Sequence, residues 1–334
     1  MDIKYVVAGA LTREYILPAV GRPLLDVPGG GALYGCGGVL LWEQRVGLLA
    51  RVDEDYPRGW LRQLESQGIE TGGVSIAPQP LDVRRFFAYD AHFRVSRGSA
   101  VAQFARRGLP FPKSLLGYRP PEELDIDRHK INVLAPSAME IPASYREALA
   151  VHLSPLDLAS HLQLASAFHA ASATTLTLDP SASYMTPESL RSLRPLLAGV
   201  SAFLPSEDEL RALFWGQTYD LWEMLSAIGN YGCEIVVAKR GREGQAVFDV
   251  PGKHRWEVPS YPARLADPTG AGDAYCGGFL AGLKKTYDPL QAALHGNVAA
   301  SLAIEGTGAL YSLGVAPGLA EARLNALADL VREI

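Results

Sequence analysis

Cysteine is scarce. The 334-residue chain has three, Cys36, Cys233 and Cys276, far apart and never in a CxxC pair, which signals neither a zinc site nor a disulfide framework. Scattered thiols of this kind suit a reducing cytoplasm. No stretch of five to eight residues is rich in Lys and Arg, and the net charge is -5, so nucleic acid is not an expected partner. Long apolar runs are also missing. The first stretch, MDIKYVVAGALTREYILPAV, mixes charges into its strand-like run and spoils both a signal peptide and a membrane span. A cytoplasmic chain with no membrane partner is the expectation. There is no GxxxxGK[ST] loop and no HRD or DFG set, so two common phosphate-binding schemes are excluded. A GxGxxG turn with an acidic residue at the next strand end is missing too. The seven histidines form no HxH, HExxH or His-Cys grouping, which reads as surface or satisfied core histidines.

What is present is an ordinary globular composition, 48% hydrophobic and 20% charged, with enough chain for a sizeable core. Strand-length apolar runs alternate with helical patterns. Expected strands are IKYVVAG (Ile3 to Gly9), VGLLARV (Val46 to Val52), INVLAPS (Ile131 to Ser137), TTLTLDP (Thr174 to Pro180), SAFLPS (Ser201 to Ser206) and CEIVVAKRG (Cys233 to Gly241). Between them PRGWLRQLESQG opens with Pro57 and closes with Gly68, as helices do. Asp157 to Ala173 and Thr186 to Gly199 are further helices. Strands separated by helices imply βαβ crossovers, hence an α/β fold: a doubly wound, mostly parallel sheet flanked by helices, in a single domain over 1–334. Two segments, about 12–27 and 81–108, break the rhythm. The second, with Phe86, Phe87 and Phe93, has the look of aromatic-rich strands, and together they are expected to form a small β lid. Arg106 to Lys130 reads as a Pro-rich surface connection.

The chemistry concentrates in ADPTGAGDAYCGGFLAGLKK (Ala266 to Lys285). A Gly-rich turn runs into a helix of small apolar residues, with an Asp in its first turn. Gly270 and Gly272 let the backbone around Ala271 approach an anion, and unsatisfied N–H groups at a helix start stabilise phosphate charge. Beside that anion hole the Asp273 carboxylate can accept a proton from an attacking hydroxyl. An Asp at this place also serves, more simply, as a helix-start residue. The helix dipole is expected to depress its pKa.

The whole string Asp-Pro-Thr-Gly-Ala-Gly-Asp, followed by Gly277 and Gly278, resembles the C-terminal signature of the ribokinase-like (PfkB-type) carbohydrate kinase family. VPGGGALYGCGGVLLW (Val27 to Trp42), the stretch Val46 to Val74, TLDPS, FLPSEDEL and VVAKRGREG are similar to further landmarks in the same order, so the resemblance covers nearly the whole chain. It implies a ribokinase-like fold, ATP with Mg2+ as cofactors, and a small sugar-like acceptor. The implied acceptor contacts are Gly29, Gly30 and Gly31, with Glu14 where the family usually has Asp and Tyr34 where it commonly has Asn. On the nucleotide side Ser206 replaces the Asn of an Asn-x-x-Glu motif. Glu209 is retained to hold Mg2+ through water, unless the acidic run Glu207 to Glu209 simply favours a helix start. Lys239, Gly241 and Gly244 look like the turn that passes the nucleotide, where Lys239 either reaches a phosphate or ends a strand in solvent. Asn297 matches a position near the adenine. Asp267 and Thr269, with the loop Gly306 to Ser312, match positions that take a monovalent cation such as K+. Asp53 stands where relatives have Gly, which reads as a change of turn.

The resemblance thus implies in-line transfer of the ATP γ-phosphoryl group to a hydroxyl of a sugar or sugar-like molecule, with Asp273 as general base. Two alternatives stand beside it. A nucleoside acceptor would use Tyr34 and the lid phenylalanines for stacking, and a non-catalytic kinase-like ligand sensor would account for the departures at Glu14, Tyr34, Asp53 and Ser206. The lid is expected to offer a homodimer interface.

Overall fold

The computed structural model describes residues 3–96, 99–120 and 132–334. In chain order, β1 (Tyr5–Ala8), β2 (Thr12–Leu17) and β3 (Leu24–Gly29) lead into α1 (Gly31–Leu40). Then come β4 (Val46–Val52), α2 (Arg58–Ser66), β5 (Ile69–Ile76), β6 (Arg84–Tyr89), β7 (Val95–Ser96) and α3 (Ala100–Arg106). The middle holds α4 (Ala143–Arg146), β8 (Ala150–Leu153), α5 (Leu158–His169), β9 (Thr175–Leu178), α6 (Leu190–Leu197) and β10 (Ala202–Phe203). These are followed by α7 (Glu207–Leu213), α8 (Leu221–Gly229), β11 (Ile235–Lys239), β12 (Gln245–Asp249) and β13 (Arg255–Val258). Next are α9 (Ala271–Thr286), α10 (Pro289–Ala303), α11 (Leu319–Ala328) and β14 (Arg332–Glu333).

Ten strands form one sheet in the order β14-β13-β12-β11-β10-β9-β8-β1-β4-β5. From β5 to β11 every pair is parallel, and β12, β13 and β14 add antiparallel. The architecture is therefore the mostly parallel α/β sheet expected. Alternation along β11 shows how both faces are covered. Val236 and Ala238 join the core against α5 and α6 with Phe168 and Leu193, whereas Ile235 and Val237 join the core against α9 and α10 with Phe279 and Val298.

One expected strand is corrected. Ile131 lies outside the described residues, and residues 132–137 carry turns rather than a strand. Asn132 Oδ1 accepts the Leu134 N–H at 2.9 Å, a local side-chain turn that competes with a ladder. The strand that pairs with β1 on the side away from β4 is β8, AVHL, which sequence reading passed over.

Segments 12–29 and 84–96 make a second sheet of four strands, in the order β3-β2-β6-β7. One of its faces, with Tyr15, Leu17, Phe86 and Ala88, packs on Phe104 of α3 and on Leu115. The other face is turned to the large sheet. Tyr89 and Thr269 share a hydrogen bond of 2.8 Å between their hydroxyls, and a Cβ placed on Gly308 would come 2.6 Å from Leu24 Cδ2.

Helices α1 and α9 touch backbone to backbone. A side chain on Gly277 would run into the Gly35 carbonyl, so only glycine permits this approach. The contact sets the N-termini of the two helices side by side, and that is where the candidate site lies.

Candidate active site

Parallel strands carry polar residues to one rim of the sheet: Ser154 after β8, Asp179 after β9, Ser206 after β10 and Lys239 at the end of β11. Ligands of open α/β sheets bind outside the carboxyl ends of the strands, and α9 begins over this rim. Its N-cap is Gly270 in the left-handed region at φ 71, with no side-chain cap. The Ala271 N–H turns back to the Pro268 carbonyl at 3.2 Å, and the Gly272 N–H is left to an external acceptor. The Tyr34 ring packs directly on the Gly270 Cα, which any Cβ there would meet.

Asp273 sits in the first turn of α9. A Cβ on Gly31 would lie 2.6 Å from Asp273 Oδ1, so the Gly29 to Gly31 turn at the start of α1 lies against the carboxylate. On the other side, Lys239 Nζ is 3.6 Å from where a Cβ on Gly272 would stand. The structure thus brings together Gly270, Ala271, Gly272, Asp273, Gly29, Gly30, Gly31, Tyr34 and Lys239. Burial pushes Asp273 up to about 6, partly offset by the Lys239 charge. The expected depression by the helix dipole is overturned, because loss of water outweighs it. At neutral pH the group remains mostly ionised.

Lys239 does not end its strand in solvent. It forms an ion pair with Asp179, with side-chain exposures of 15% and 6%, and lies 3.6 Å from Cys276 Sγ. Burial works against the ammonium charge, but Asp179, Cys276 and Glu209 around it outweigh that and raise its pKa. Burial pushes Asp179 up to about 7. Asp179 was not foreseen as a site residue. Its sequence signals were a carboxylate closing the apolar run TLTL at a strand end and its place in the landmark TLDPS.

Ser206 and Glu209 form a capping box at the start of α7. The Ser206 N–H and hydroxyl both donate to Glu209 Oε2 at 2.7 Å, and Ser206 Oγ accepts the Glu209 N–H at 3.2 Å. The helix-start reading of Glu209 therefore holds. Its charge is still felt at Asp179, Lys239 and Asp273.

At the acceptor end Glu14 is 2% exposed. Its Oε1 accepts the Gly30 N–H at 2.8 Å and its Oε2 the Tyr34 hydroxyl at 2.9 Å. Gly30 takes φ 99 to make this turn, a conformation suited to glycine. Glu14 and Tyr34, two of the four departures from the family pattern, thus satisfy one another. Tyr34 is buried and offers no ring for stacking. Burial pushes Glu14 up to about 7. Phe86 packs on Phe104 with ring centroids 5.8 Å apart and is not available to a ligand either, whereas Phe87 lies on the opposite face of β6. Asp53 does more than alter a turn: its Oδ1 is buried without a hydrogen-bond partner.

The Asn297 side chain is engaged within the chain. Its amide donates to Gln245 Oε1 at 3.1 Å and to the Pro259 carbonyl at 2.8 Å, and its Oδ1 accepts the Tyr261 N–H at 2.9 Å. All of this secures the loop after β13. Gly241 and Gly244, at φ 56 and 83, shape the tight reversal between β11 and β12. Thr269 donates through N–H and hydroxyl to Asp267 Oδ1 at 2.9 and 2.6 Å. Asp267 Oδ2 is buried with no partner, and burial raises the pKa of this carboxyl. Of the buried histidines, His161 is bonded through both ring nitrogens, whereas His152 Nε2 is buried without a partner. His161 bonds Tyr184 and the Ser154 carbonyl at 2.7 and 2.9 Å, and His152 bonds Thr177 at 2.9 Å. No helix among the described residues is long and apolar enough to cross a membrane.

Residues 122–314 match the pfkB family carbohydrate kinases. Over 283 residues the chain is 26% identical to cytidine kinase of Thermococcus kodakarensis, spanning 84% of this chain and 88% of that one. An uncharacterized sugar kinase of Archaeoglobus fulgidus is 31% identical over 42% of this chain and 53% of its own length. Among solved structures, a putative ribokinase II from E. coli superposes with a TM-score of 0.72 at 18% identity, covering 97% and 99% of the two chains. The last likeness concerns the fold. Together, fold, site and relatives define a phosphotransferase that uses an alcohol group as acceptor. The chain belongs to the pfkB family of carbohydrate kinases.

Proposed function

We propose that the chain transfers the ATP γ-phosphoryl group to a hydroxyl of a sugar or sugar-like small molecule, with Asp273 as general base. The observation that carries this is the placement of one ionised carboxylate between the Gly31 turn and the uncapped start of α9. Gly29 to Gly31 offer backbone to the acceptor, and a hydroxyl seated there lies beside Asp273. The N–H of Gly272, with the macrodipole at the Gly270 to Gly272 turn, stabilises charge on the transferring group. Lys239, fixed by Asp179, adds a positive charge under the same turn. Phosphoryl transfer has a loose transition state, so positioning and charge dominate and a modest base taking the hydroxyl proton suffices.

The donor set fits a hard cation. Glu209 keeps a second carboxylate oxygen beyond the one engaged by Ser206, a ligand type suited to Mg2+ and its water. Mg2+, when bound, would neutralise phosphate charge. Asp267 Oδ2 is buried with no hydrogen bond of ordinary length, and with the Thr307 hydroxyl also acting on this carboxyl the site suits a monovalent cation such as K+. The free edges of β3 and β7 in the small sheet support its action as a lid and its pairing with a second copy. Three free, buried cysteines accord with a cytoplasmic setting.

A nucleoside acceptor is the second reading, favoured by Phe87 on the inward face of β6 and by the likeness to cytidine kinase over most of both chains. ADP release measured over a panel of sugars, sugar acids and nucleosides tests the proposal. Acceptor-dependent release is expected, and ATP binding with no turnover on any acceptor would overturn it.

A further inference from the structure

Arg85 is a partly buried guanidinium for which the proposed reaction has no use. It stands in β6 paired with Glu14 of β2 in the parallel register, so both side chains share one face of the small sheet. Phe86 and Ala88 point to α3, whereas Arg85, Phe87 and Tyr89 point to the large sheet, where Tyr89 reaches Thr269.

Other partly buried arginines have compensated charges. Arg13 meets Asp26, Arg51 meets Glu140, Arg84 meets Asp82, Arg240 meets Glu207 and Arg323 meets Glu305, while Arg255 lies over the rings of Trp222 and Phe248. Arg85 has no carboxylate among the described residues. Its Nη1 donates to the carbonyls of Arg84 at 2.7 Å and Asp82 at 3.3 Å, and Nε and Nη2 meet no partner among the described residues. The carboxylates nearest to it are committed. Asp82 holds Arg84 with both oxygens, and Glu14 holds Gly30 and Tyr34. Burial lowers the pKa of Arg85, against the pull of Tyr118, Asp82 and Glu14, as for a half-buried charge with no carboxylate bonded to it among the described residues. Such a charge costs free energy until an anion meets it, and the guanidinium fork matches carboxylate and phosphate oxygens in pairs.

We infer that Arg85 is a specificity-determining residue of the acceptor pocket, and that the acceptor carries an oxyanion, a carboxylate or a phosphate, which the free Nε and Nη2 edge receives. This rests on the kinase reading and narrows its substrate class to sugar acids or sugar monophosphates over neutral sugars and nucleosides.

The test is ADP release by the full chain and by Arg85→Gln and Arg85→Lys, with sugar acids, sugar monophosphates, neutral sugars and nucleosides as separate arms. The wild type should prefer an anionic arm. Turnover of sugar acids alone identifies a carboxylate, and turnover of monophosphates alone a phosphate. In Arg85→Gln the kcat/KM ratio of anionic to neutral acceptor should fall by roughly 30-fold or more, chiefly through KM, as expected when one partner of a buried charge pair is truncated. Arg85→Lys should recover part of it and guards against a variant that fails to fold. A wild type that turns over neutral acceptors only, or an unchanged ratio in Arg85→Gln, overturns the inference and leaves the kinase reading standing. No turnover in any arm overturns both.

Discussion

Replacing Lys239 with Met leaves Asp179 buried at 6% side-chain exposure with no cation beside it. Removing one partner of a buried ion pair costs about 3–5 kcal/mol. For a chain of this size that corresponds to a fall in melting temperature of roughly 10 °C. The loss has a signed pH dependence. With Lys239 present, burial already holds Asp179 at about 7, and without the cation its folded pKa climbs further above the unfolded value. The variant must therefore protonate Asp179 in the folded state. Its deficit against the wild type is full at high pH, shrinks as pH falls through the variant's own folded pKa, and levels off below the wild-type value of about 7, because the unfolded carboxyl is common to both proteins and cancels. Urea unfolding of both proteins from about pH 6 to 9 measures this. The double variant Lys239→Met with Asp179→Asn, which removes both charges, should recover most of the stability. A deficit below about 1 kcal/mol, or one constant across that pH range, would refute the role given to the pair.

The kinetic pH profile should show an acid limb near 6, because burial pushes Asp273 to about 6 and only its ionised form takes a proton. Turnover falls as pH drops through that value, and a limb near 4 would mean that Asp273 is not desolvated as described. Its raised pKa also makes the fold bind this proton more tightly than the unfolded chain does, so its contribution to stability declines as pH rises from about 4 to 6. Gly31→Ala would set a Cβ 2.6 Å from Asp273 Oδ1. Its turnover should drop by roughly 100-fold through misplacement of the base; turnover equal to wild type would place the acceptor turn elsewhere.

Much of the fold could be read from apolar runs, because VGLLARV and CEIVVAK are the double-sided strands of a parallel sheet and VGLLARV matches β4 over Val46–Val52. INVLAPS misled for a physical reason: Asn132 closes a turn on Leu134, and a local hydrogen bond of this kind leaves no mark on hydrophobic pattern. AVHL was passed over because it has only four residues and a histidine whose burial depends on Thr177, a partner distant in sequence. At the site, the Gly-rich turn and Asp273 were legible because glycine at a positive φ and a helix-start carboxylate are local features. What was not legible depends on neighbours. Asn297 is consumed by Gln245 and Pro259, Lys239 is claimed by Asp179, 60 residues away, and the pKa of Asp273 is set by burial that no local sequence reports.

The most direct measurement of the central claim is acceptor-dependent ADP release by Asp273→Asn, alongside its affinity for ATP. The backbone at the start of α9, proposed to bind the phosphates, is unchanged by the substitution, so ATP affinity should stay within a few-fold of wild type while turnover falls by roughly 100-fold to 10,000-fold. A variant that binds ATP and turns over near the wild-type rate would contradict the assignment of Asp273 as the base.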